Sequence, residues 1–260
     1  MITFCKFALA PVLSWQSLMV RRTAIRLPEA AGRRIGKVGR LKFAKPLRVL
    51  YVGDSSAAGV GVTRLRQSLA VQASRFLSRK LRRPIAWQLA AKSGVDTREA
   101  LEFLQSTVLR PADVLVTSLG VNDVTTQRSV DQTIEDYQAL VDWIVRQTGV
   151  ETIVINGLPP VGTLPIMPQP LRWYLGQYAQ LLDARLREWV QTHGNYCFVP
   201  LQYPARPEDF AVDGYHPGPA LYCRWAERIA ESVAAHLETS RPQKSSKQST
   251  SLDFGQCLPA

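Results

Sequence analysis

Four short segments of this 260-residue sequence carry a serine, an amide, a carboxylate and a histidine among turn-forming residues. In chain order they are GDSSAAGVG (53–61), SG (93–94), GVND (120–123) and DGYH (213–216). A serine hydroxyl is a poor nucleophile until a base within hydrogen-bond reach takes its proton. Histidine is the side chain best suited to that task near neutral pH. If the fold collects the four segments at one place, their side chains can carry out acyl transfer.

One of the three histidines has the right place in the chain. His216 follows a predicted strand-to-helix loop, whereas His193 and His236 lie near the ends of predicted helices. Asp213 precedes His216 by three residues, so its carboxylate can reach the imidazole Nδ1 across one turn of loop. An acid at that place holds the imidazole in the productive tautomer and stabilises the imidazolium. His216 is therefore the predicted base, with Asp213 as its partner.

The oxyanion of a tetrahedral intermediate needs convergent hydrogen-bond donors. The backbone N–H groups of Ser55 and Gly94 and the side-chain amide of Asn122 follow three different predicted strands. They are the candidate donors if these strand ends adjoin one another.

Hydrophobic periodicity predicts the elements that must position the segments. Short apolar runs, interpreted as strands, alternate with longer amphipathic stretches, interpreted as helices. The predicted strands are 47–54, 85–91, 113–119, 152–156 and 196–200, and the predicted helices are 62–81, 97–107, 130–148, 170–192 and 219–237. This alternation is typical of an α/β fold with helices on both faces of a parallel sheet, a doubly wound three-layer α/β/α sandwich. The ligand crevice of such a sheet lies at the carboxyl ends of its strands, where all four segments fall.

In this order, the four segments resemble the motifs of the SGNH, or GDSL-like, hydrolase family. The resemblance covers roughly residues 47–238 and implies a flavodoxin-like sheet of five parallel strands in the order 2-1-3-4-5. It also implies a serine-dependent hydrolase of carboxylic esters, of the esterase or lipase type, that works through an acyl-enzyme. Ser56 stands where the family name has a leucine, and SG is the least specific of the four segments.

The resemblance also implies a role for each candidate residue. Ser55 would be the nucleophile, and Asp213 and His216 would complete the catalytic triad. The oxyanion hole would consist of Ser55, Gly94 and Asn122. No cofactor and no metal ion are implied, and the sequence has no phosphate-binding loop of the Walker or dinucleotide type.

Other functions remain open from the sequence. A carbohydrate O-acetyl esterase of the same fold would use the same residues, and a non-catalytic lipid-binding module could keep them. A metal-dependent phosphoesterase is disfavoured, because such sites need several histidines and the predicted crevice has one.

The loop after the fourth predicted strand, residues 158–175, is apolar and rich in proline. Because it lies at the same edge of the sheet as the triad, it is predicted to wall an acyl pocket. The alternative is a connection that only packs on the body of the protein. The candidate substrate-binding residues are Leu164, Ile166, Met167 and Trp173.

The net charge of +11 belongs to the ends of the chain. Residues 1–47 contain ten Lys or Arg and one acidic residue, and residues 240–260 contain three Lys or Arg and one acidic residue. Residues 48–239 contain 19 basic and 19 acidic residues. Nucleic-acid binding needs a basic face on the folded domain, so no specific nucleic-acid partner is predicted. The expected partner is a small-molecule or lipid ester.

The two ends are predicted to differ from the hydrolase domain, which spans residues 47–238. Residues 1–46 form a basic arm whose first part is an amphipathic helix on an anionic membrane surface, a helix packed on the body or, less favoured, a signal peptide. Residues 239–260 are rich in Ser, Thr, Gln and Lys and are predicted to be a disordered tail. Four scattered cysteines indicate no disulfide framework. The expected location is cytoplasmic, with membrane association possible.

Overall fold

The computed structural model describes residues 8–39, 45–201 and 206–239. Within these residues, six strands form one sheet in the order β1-β3-β2-β4-β5-β6. In chain order the strands are β1 (Ile35–Val38), β2 (Leu47–Gly53), β3 (Ile85–Ala91), β4 (Val114–Ser118), β5 (Thr152–Asn156) and β6 (Tyr196–Val199). The strands β2 to β6 are mutually parallel, and β1 runs antiparallel to β3.

Helices cover both faces of the sheet. In the same residues they are α1 (Ala10–Thr23), α2 (Leu69–Leu81), α3 (Thr97–Gln105), α4 (Val121–Thr126), α5 (Val130–Thr148), α6 (Leu171–Gln191) and α7 (Pro219–Thr239). The helices α2 and α7 share one hydrophobic core with the sheet, and the other five helices share the second. This is a three-layer α/β/α sandwich. None of the described helices is long and apolar enough to cross a membrane.

The central strands are apolar on both sides because both of their faces are covered. In β2, Val49 and Tyr51 enter the core beneath α2 and α7, whereas Leu50 and Val52 enter the opposite core. All five residues of β4 are buried. Continuous apolar runs of this kind are therefore the correct sequence signal for these strands.

The predicted parallel order is confirmed: the five parallel strands follow one another as 2-1-3-4-5, counted along the chain from β2. The structure adds one strand that the sequence analysis assigned to the N-terminal arm. This strand, β1, has the sequence IGKV and is only half-buried or exposed, so it has no apolar run to reveal it. Part of the predicted arm, residues 1–46, is thus an edge of the sheet. The predicted tail, apart from Thr239, lies outside the described residues.

The parallel strands deliver the candidate segments to one edge of the sheet. Gly53 ends β2, and a Cβ atom there would lie 2.5 Å from the carbonyl oxygen of Ser118 at the end of β4. Only glycine permits this close approach of the two strand ends. The chain then turns directly into Ser55, so the close approach sets the place of the candidate nucleophile.

Candidate active site

The structure brings Ser55, His216 and Asp213 into one hydrogen-bonded chain. Nε2 of His216 lies 2.8 Å from Oγ of Ser55, and Nδ1 of His216 lies 2.6 Å from Oδ2 of Asp213. A carboxylate only accepts hydrogen bonds, so Nδ1 carries the proton and Nε2 presents its lone pair to the serine hydroxyl. Both distances fall within the range that direct proton transfer requires. The chain of contacts can therefore take a proton from Ser55.

Asp213 is held ionised by its surroundings. Its side chain is 2% exposed, and Oδ1 accepts the backbone N–H groups of Tyr215 and His216 at 3.0 Å each. Burial alone would raise the pKa of Asp213, but the bonds from His216 and from the two backbone N–H groups outweigh it and lower the pKa. The turn that forms these bonds needs a left-handed residue, which Gly214 supplies with φ +63°. The DGYH segment thus fixes the acid and the imidazole together.

The Ser55 loop is braced from below by Asp54, which is buried. Its Oδ1 accepts the backbone N–H of Ser56 at 2.9 Å and the Ser56 hydroxyl at 2.7 Å. Burial raises the pKa of Asp54, and the bonds from Ser56 oppose that rise. The Tyr222 hydroxyl of α7 lies within hydrogen-bond distance of the carbonyl oxygens of Ser56 and Val60. These contacts leave the Ser55 side chain as the part of the loop that faces His216.

Asn122 lies in the first turn of α4 and lines the same cleft as Ser55 and His216. One hydrogen of its side-chain amide is donated to the carbonyl oxygen of Val95 at 2.8 Å. The other has no acceptor among the described residues, so it is available to a ligand in the cleft.

The neighbouring Asp123 is fully buried and points the other way. Its carboxylate accepts the backbone N–H and the hydroxyl of Thr97, at the start of α3. Burial raises its pKa to about 6, although the bonds from Thr97 work against the rise. Asp123 therefore ties α4 to α3 and helps to fix the turn on which Asn122 stands.

Gly94 is placed differently. It is exposed, has a φ of +82° and is not among the residues that line the Ser55 cleft. Its neighbour Ser93 donates its backbone N–H and its hydroxyl to Oε1 of Glu29, both at 2.8 Å. Glu29 also pairs with Arg34, which donates to the carbonyl oxygen of Ala91 at 2.6 Å. The SG turn is thus held by the N-terminal segment, a contact that no sequence pattern indicated.

The four candidate substrate-binding residues separate into three places. Leu164 is buried and lines the Ser55 cleft. Ile166 and Met167 line an adjoining cavity of about 190 Å³ that also reaches His216. Trp173 lines a third cavity with Pro159 and Pro160, so the structure does not bring it to Ser55.

Several cleft residues were missed by the sequence analysis, and most of them are apolar or aromatic. Leu221 and Trp225 come from one face of α7, where their i, i+4 spacing was a usable signal. The others lie at strand ends, in loops or at the start of α4, and only the fold brings them to the cleft. The missed residues are Ser118, Leu119, Val121, Gly157, Pro159, Phe210, Tyr215, Pro217, Leu221 and Trp225.

The GDSL-like lipase/acylhydrolase family model matches residues 51–224, which include all four candidate segments and the whole of the Ser55–His216–Asp213 chain of contacts. The chain belongs to the GDSL-like lipase/acylhydrolase family. Membership supports an ester hydrolase as the general class of this protein.

Solved structures share the fold of this GDSL-like family member. A lipase from a goat rumen metagenome matches with 18% identity, covering 73% of this chain and 97% of the other at a TM-score of 0.54. A lipase/acylhydrolase from Enterococcus faecalis matches with 21% identity, 73% and 96% coverage and a TM-score of 0.52. Est24, a carbohydrate acetylesterase from Sinorhizobium meliloti, matches with 17% identity, covering 73% of this chain and 99% of the other at a TM-score of 0.52. No curated protein matches the chain in sequence.

Proposed function

We propose that this GDSL-like family member hydrolyses carboxylic esters with Ser55 as its nucleophile. The observation that carries the proposal is the unbroken set of contacts from Ser55 Oγ through His216 to Asp213, at 2.8 Å and 2.6 Å. A serine placed in this way beside a histidine that a buried carboxylate orients has the geometry of an activated nucleophile.

The reaction proceeds in two matched halves. Ser55 Oγ attacks the ester carbonyl carbon while His216 Nε2 takes the hydroxyl proton, and a tetrahedral intermediate forms. The intermediate collapses, the bond to the alcohol oxygen breaks, and His216 returns the proton to the leaving alcohol. Water then attacks the acyl-enzyme with the same proton transfers, which releases the acid and restores Ser55. Asp213 stays ionised throughout and stabilises the imidazolium.

The oxyanion is proposed to accept hydrogen bonds from the backbone N–H of Ser55 and the free amide hydrogen of Asn122. The backbone N–H of Gly94 is the third proposed donor, although Gly94 does not line the cleft. Ligand binding would have to draw the SG turn inward for Gly94 to take part.

Replacing Asn122 with alanine is expected to lower kcat by about 100- to 1000-fold with a smaller effect on KM, because the lost donor acts mainly on the transition state. The measurement is steady-state hydrolysis of a soluble p-nitrophenyl ester. Asn195→Ala is the matched control, because the Asn195 side chain also donates to a backbone carbonyl oxygen, that of Glu151. Asn195 lies just before β6, away from the site. Equal rates for Asn122→Ala and Asn195→Ala would remove Asn122 from the oxyanion hole.

The proposed substrates are esters with an apolar acyl group. The cleft at Ser55 is lined by leucine, proline and aromatic side chains, and its neighbour at His216 is lined by Ile166, Met167 and Leu171. A lining of this kind favours a hydrocarbon chain over a sugar hydroxyl surface. Lipid-like or simple acyl esters are therefore preferred to sugar acetates.

We expect kcat/KM to rise as the acyl group of a p-nitrophenyl ester is lengthened beyond acetate. The measurement is a panel from acetate to dodecanoate on the wild type and Ser55→Ala, and the serine variant should lose activity on every member. Leu164→Trp, which narrows the cleft, should impair long esters more than acetate, whereas Trp173→Leu should leave the profile unchanged. A strict acetate preference would favour a carbohydrate acetylesterase instead, and full activity in Ser55→Ala would contradict the proposed mechanism.

A further inference from the structure

Helix α1 is fixed to the body of the protein by its inner face. Leu13 is buried in the core, and Gln16 is buried between α1 and the start of α6. The Gln16 side chain donates to the carbonyl oxygen of Gln169 at 2.6 Å and accepts the backbone N–H of Leu171 at 3.0 Å. An amide that satisfies both of its ends in this way sets the rotation of the helix. The residues on the opposite side of α1 are therefore held outward.

That opposite side is apolar and exposed, and we call it the outer face of α1. It consists of Val12, Trp15, Leu18 and Met19, which follow helical spacing, and Trp15 is 62% exposed. A contiguous exposed set of large apolar side chains marks an interaction surface. Among the residues that the structure describes, no apolar surface covers the outer face.

The charge around the outer face indicates what that partner is. Arg21 and Arg22 lie in the last turn of α1, Arg26 follows the helix, and residues 1–28 contain four Lys or Arg and no acid. A second copy would bring the same cations to the contact with no acid to offset them, which disfavours self-association. An anionic lipid surface accepts both components, because indole rings settle at the headgroup level and arginine attracts anionic headgroups.

The other side of α1 reaches the candidate active site. Arg21 and Ile25 line the cavity of about 190 Å³ that reaches Asp213 and His216. None of the four outer-face residues lines this cavity. One helix thus carries the outer face on one side and part of the cavity wall on the other.

We propose that the outer face of α1 docks this protein on an anionic membrane surface. The hydrolysis of lipid-borne esters from that position rests on the proposed function, whereas the docking does not. An interfacial helix of this kind binds through buried apolar area and electrostatic attraction together, so loss of either component weakens the contact.

Co-sedimentation of the full-length protein with vesicles tests the proposal. We expect the wild type to bind vesicles of phosphatidylcholine and phosphatidylglycerol at least about tenfold more strongly than phosphatidylcholine alone. Trp15→Ser with Met19→Ser should weaken binding to the mixed vesicles about tenfold or more, because the apolar contact is lost. Arg22→Glu with Arg26→Glu should abolish the preference for the anionic lipid.

Matched control variants distinguish a specific loss of vesicle binding from a general loss of structure. Val108→Ser removes an apolar residue that is 85% exposed before β4, and Arg75→Glu with Arg79→Glu reverses charge on α2, in the other helical layer. Both should bind like the wild type, and the α1, arginine and Val108 variants should keep their circular dichroism spectra and their rates on a soluble short ester. Ser55→Ala should bind vesicles normally, so failure of the proposed hydrolysis and failure of docking are distinguishable.

Two outcomes would overturn the docking proposal. One is a wild type that sediments with neither vesicle, or outer-face variants that sediment as the wild type does. The other is a wild-type dimer, seen by analytical ultracentrifugation, that Trp15→Ser with Met19→Ser dissociates, because the outer face would then belong to a second copy.

Discussion

Replacing Ser55 with alanine is expected to reduce kcat for a soluble p-nitrophenyl ester by about 10⁴-fold or more. The alanine removes the atom that forms the acyl-enzyme, and no other hydroxyl among the described residues lies within hydrogen-bond distance of His216 Nε2. What remains is the activity of the cleft and its oxyanion donors acting on water, which is small beside the full mechanism. KM should change little, because the hydroxyl contributes little to ground-state binding.

The adjacent serine provides a matched control for this variant. Ser56→Ala removes a hydroxyl from the same loop, but that hydroxyl is bonded to Asp54 and Ser118 rather than to His216. It should cost at most about tenfold, through loosening of the loop. Comparable losses in Ser55→Ala and Ser56→Ala, with both variants folded, would point to a structural role for Ser55.

The second large effect is expected from Asp213→Asn, with kcat lower by about 10⁴-fold. The asparagine oxygen can still accept the backbone N–H groups of Tyr215 and His216, so the turn should be kept. The amide nitrogen, however, would then face His216 Nδ1 and donate to it, which moves the imidazole proton to Nε2. A protonated Nε2 cannot take the proton of Ser55, and the imidazolium loses its carboxylate partner.

Asp209→Asn is the control for that result. Asp209 is also largely buried and lies before the same segment, but it pairs with Arg224, and the bonds from Arg224 and the backbone of Arg206 lower its pKa. Asp209→Asn should lower the thermal unfolding temperature and change kcat little, because Asp209 acts on the fold. The two variants are compared by steady-state kinetics and by unfolding. If Asp213→Asn keeps more than about a tenth of the wild-type kcat, the role assigned to Asp213 is wrong.

The parallel part of the fold could be predicted because its strands have a simple signal. Burial on both faces produces continuous apolar runs, and the bounds predicted for β3, β5 and α5 coincide with those observed. The strand β1 gave no such signal, since an edge strand needs few apolar residues and is defined by its pairing with β3. Helix α4 was missed for a similar reason: it has only six residues and begins within the GVND segment.

Part of the candidate site could likewise be predicted from local sequence, and part of it depends on the tertiary fold. Ser55, Asp213 and His216 could be placed together because each follows a strand end, and parallel strand ends share one edge of the sheet. The brace of Ser93 by Glu29 joins positions 64 residues apart, and no local pattern encodes it. Trp173 lies in the first turn of α6 and lines a cavity with Pro159 and Pro160, so its apolar character alone could not assign it to the Ser55 cleft.

The N-terminal helix was open between three interpretations because its sequence is ambiguous. Polar residues interrupt the apolar stretch on both sides of the helix, and one of them, Gln16, is buried. Polarity alone therefore does not identify the side that packs on the protein. Only the contacts of Gln16 with α6 reveal which face is inward. The outer-face residues are therefore exposed to solvent, and their apolar character is the evidence for a partner.

The most direct test of Ser55 as the nucleophile is covalent labelling with a fluorophosphonate, followed by mass spectrometry of the digested protein. A serine activated by His216 should displace fluoride and carry the phosphonyl group, so the wild type should be modified on the peptide that contains Ser55, in parallel with loss of esterase activity. Ser55→Ala should remain unlabelled. A wild type that hydrolyses esters while Ser55 stays unmodified, or that is labelled at a different residue, would contradict the mechanism.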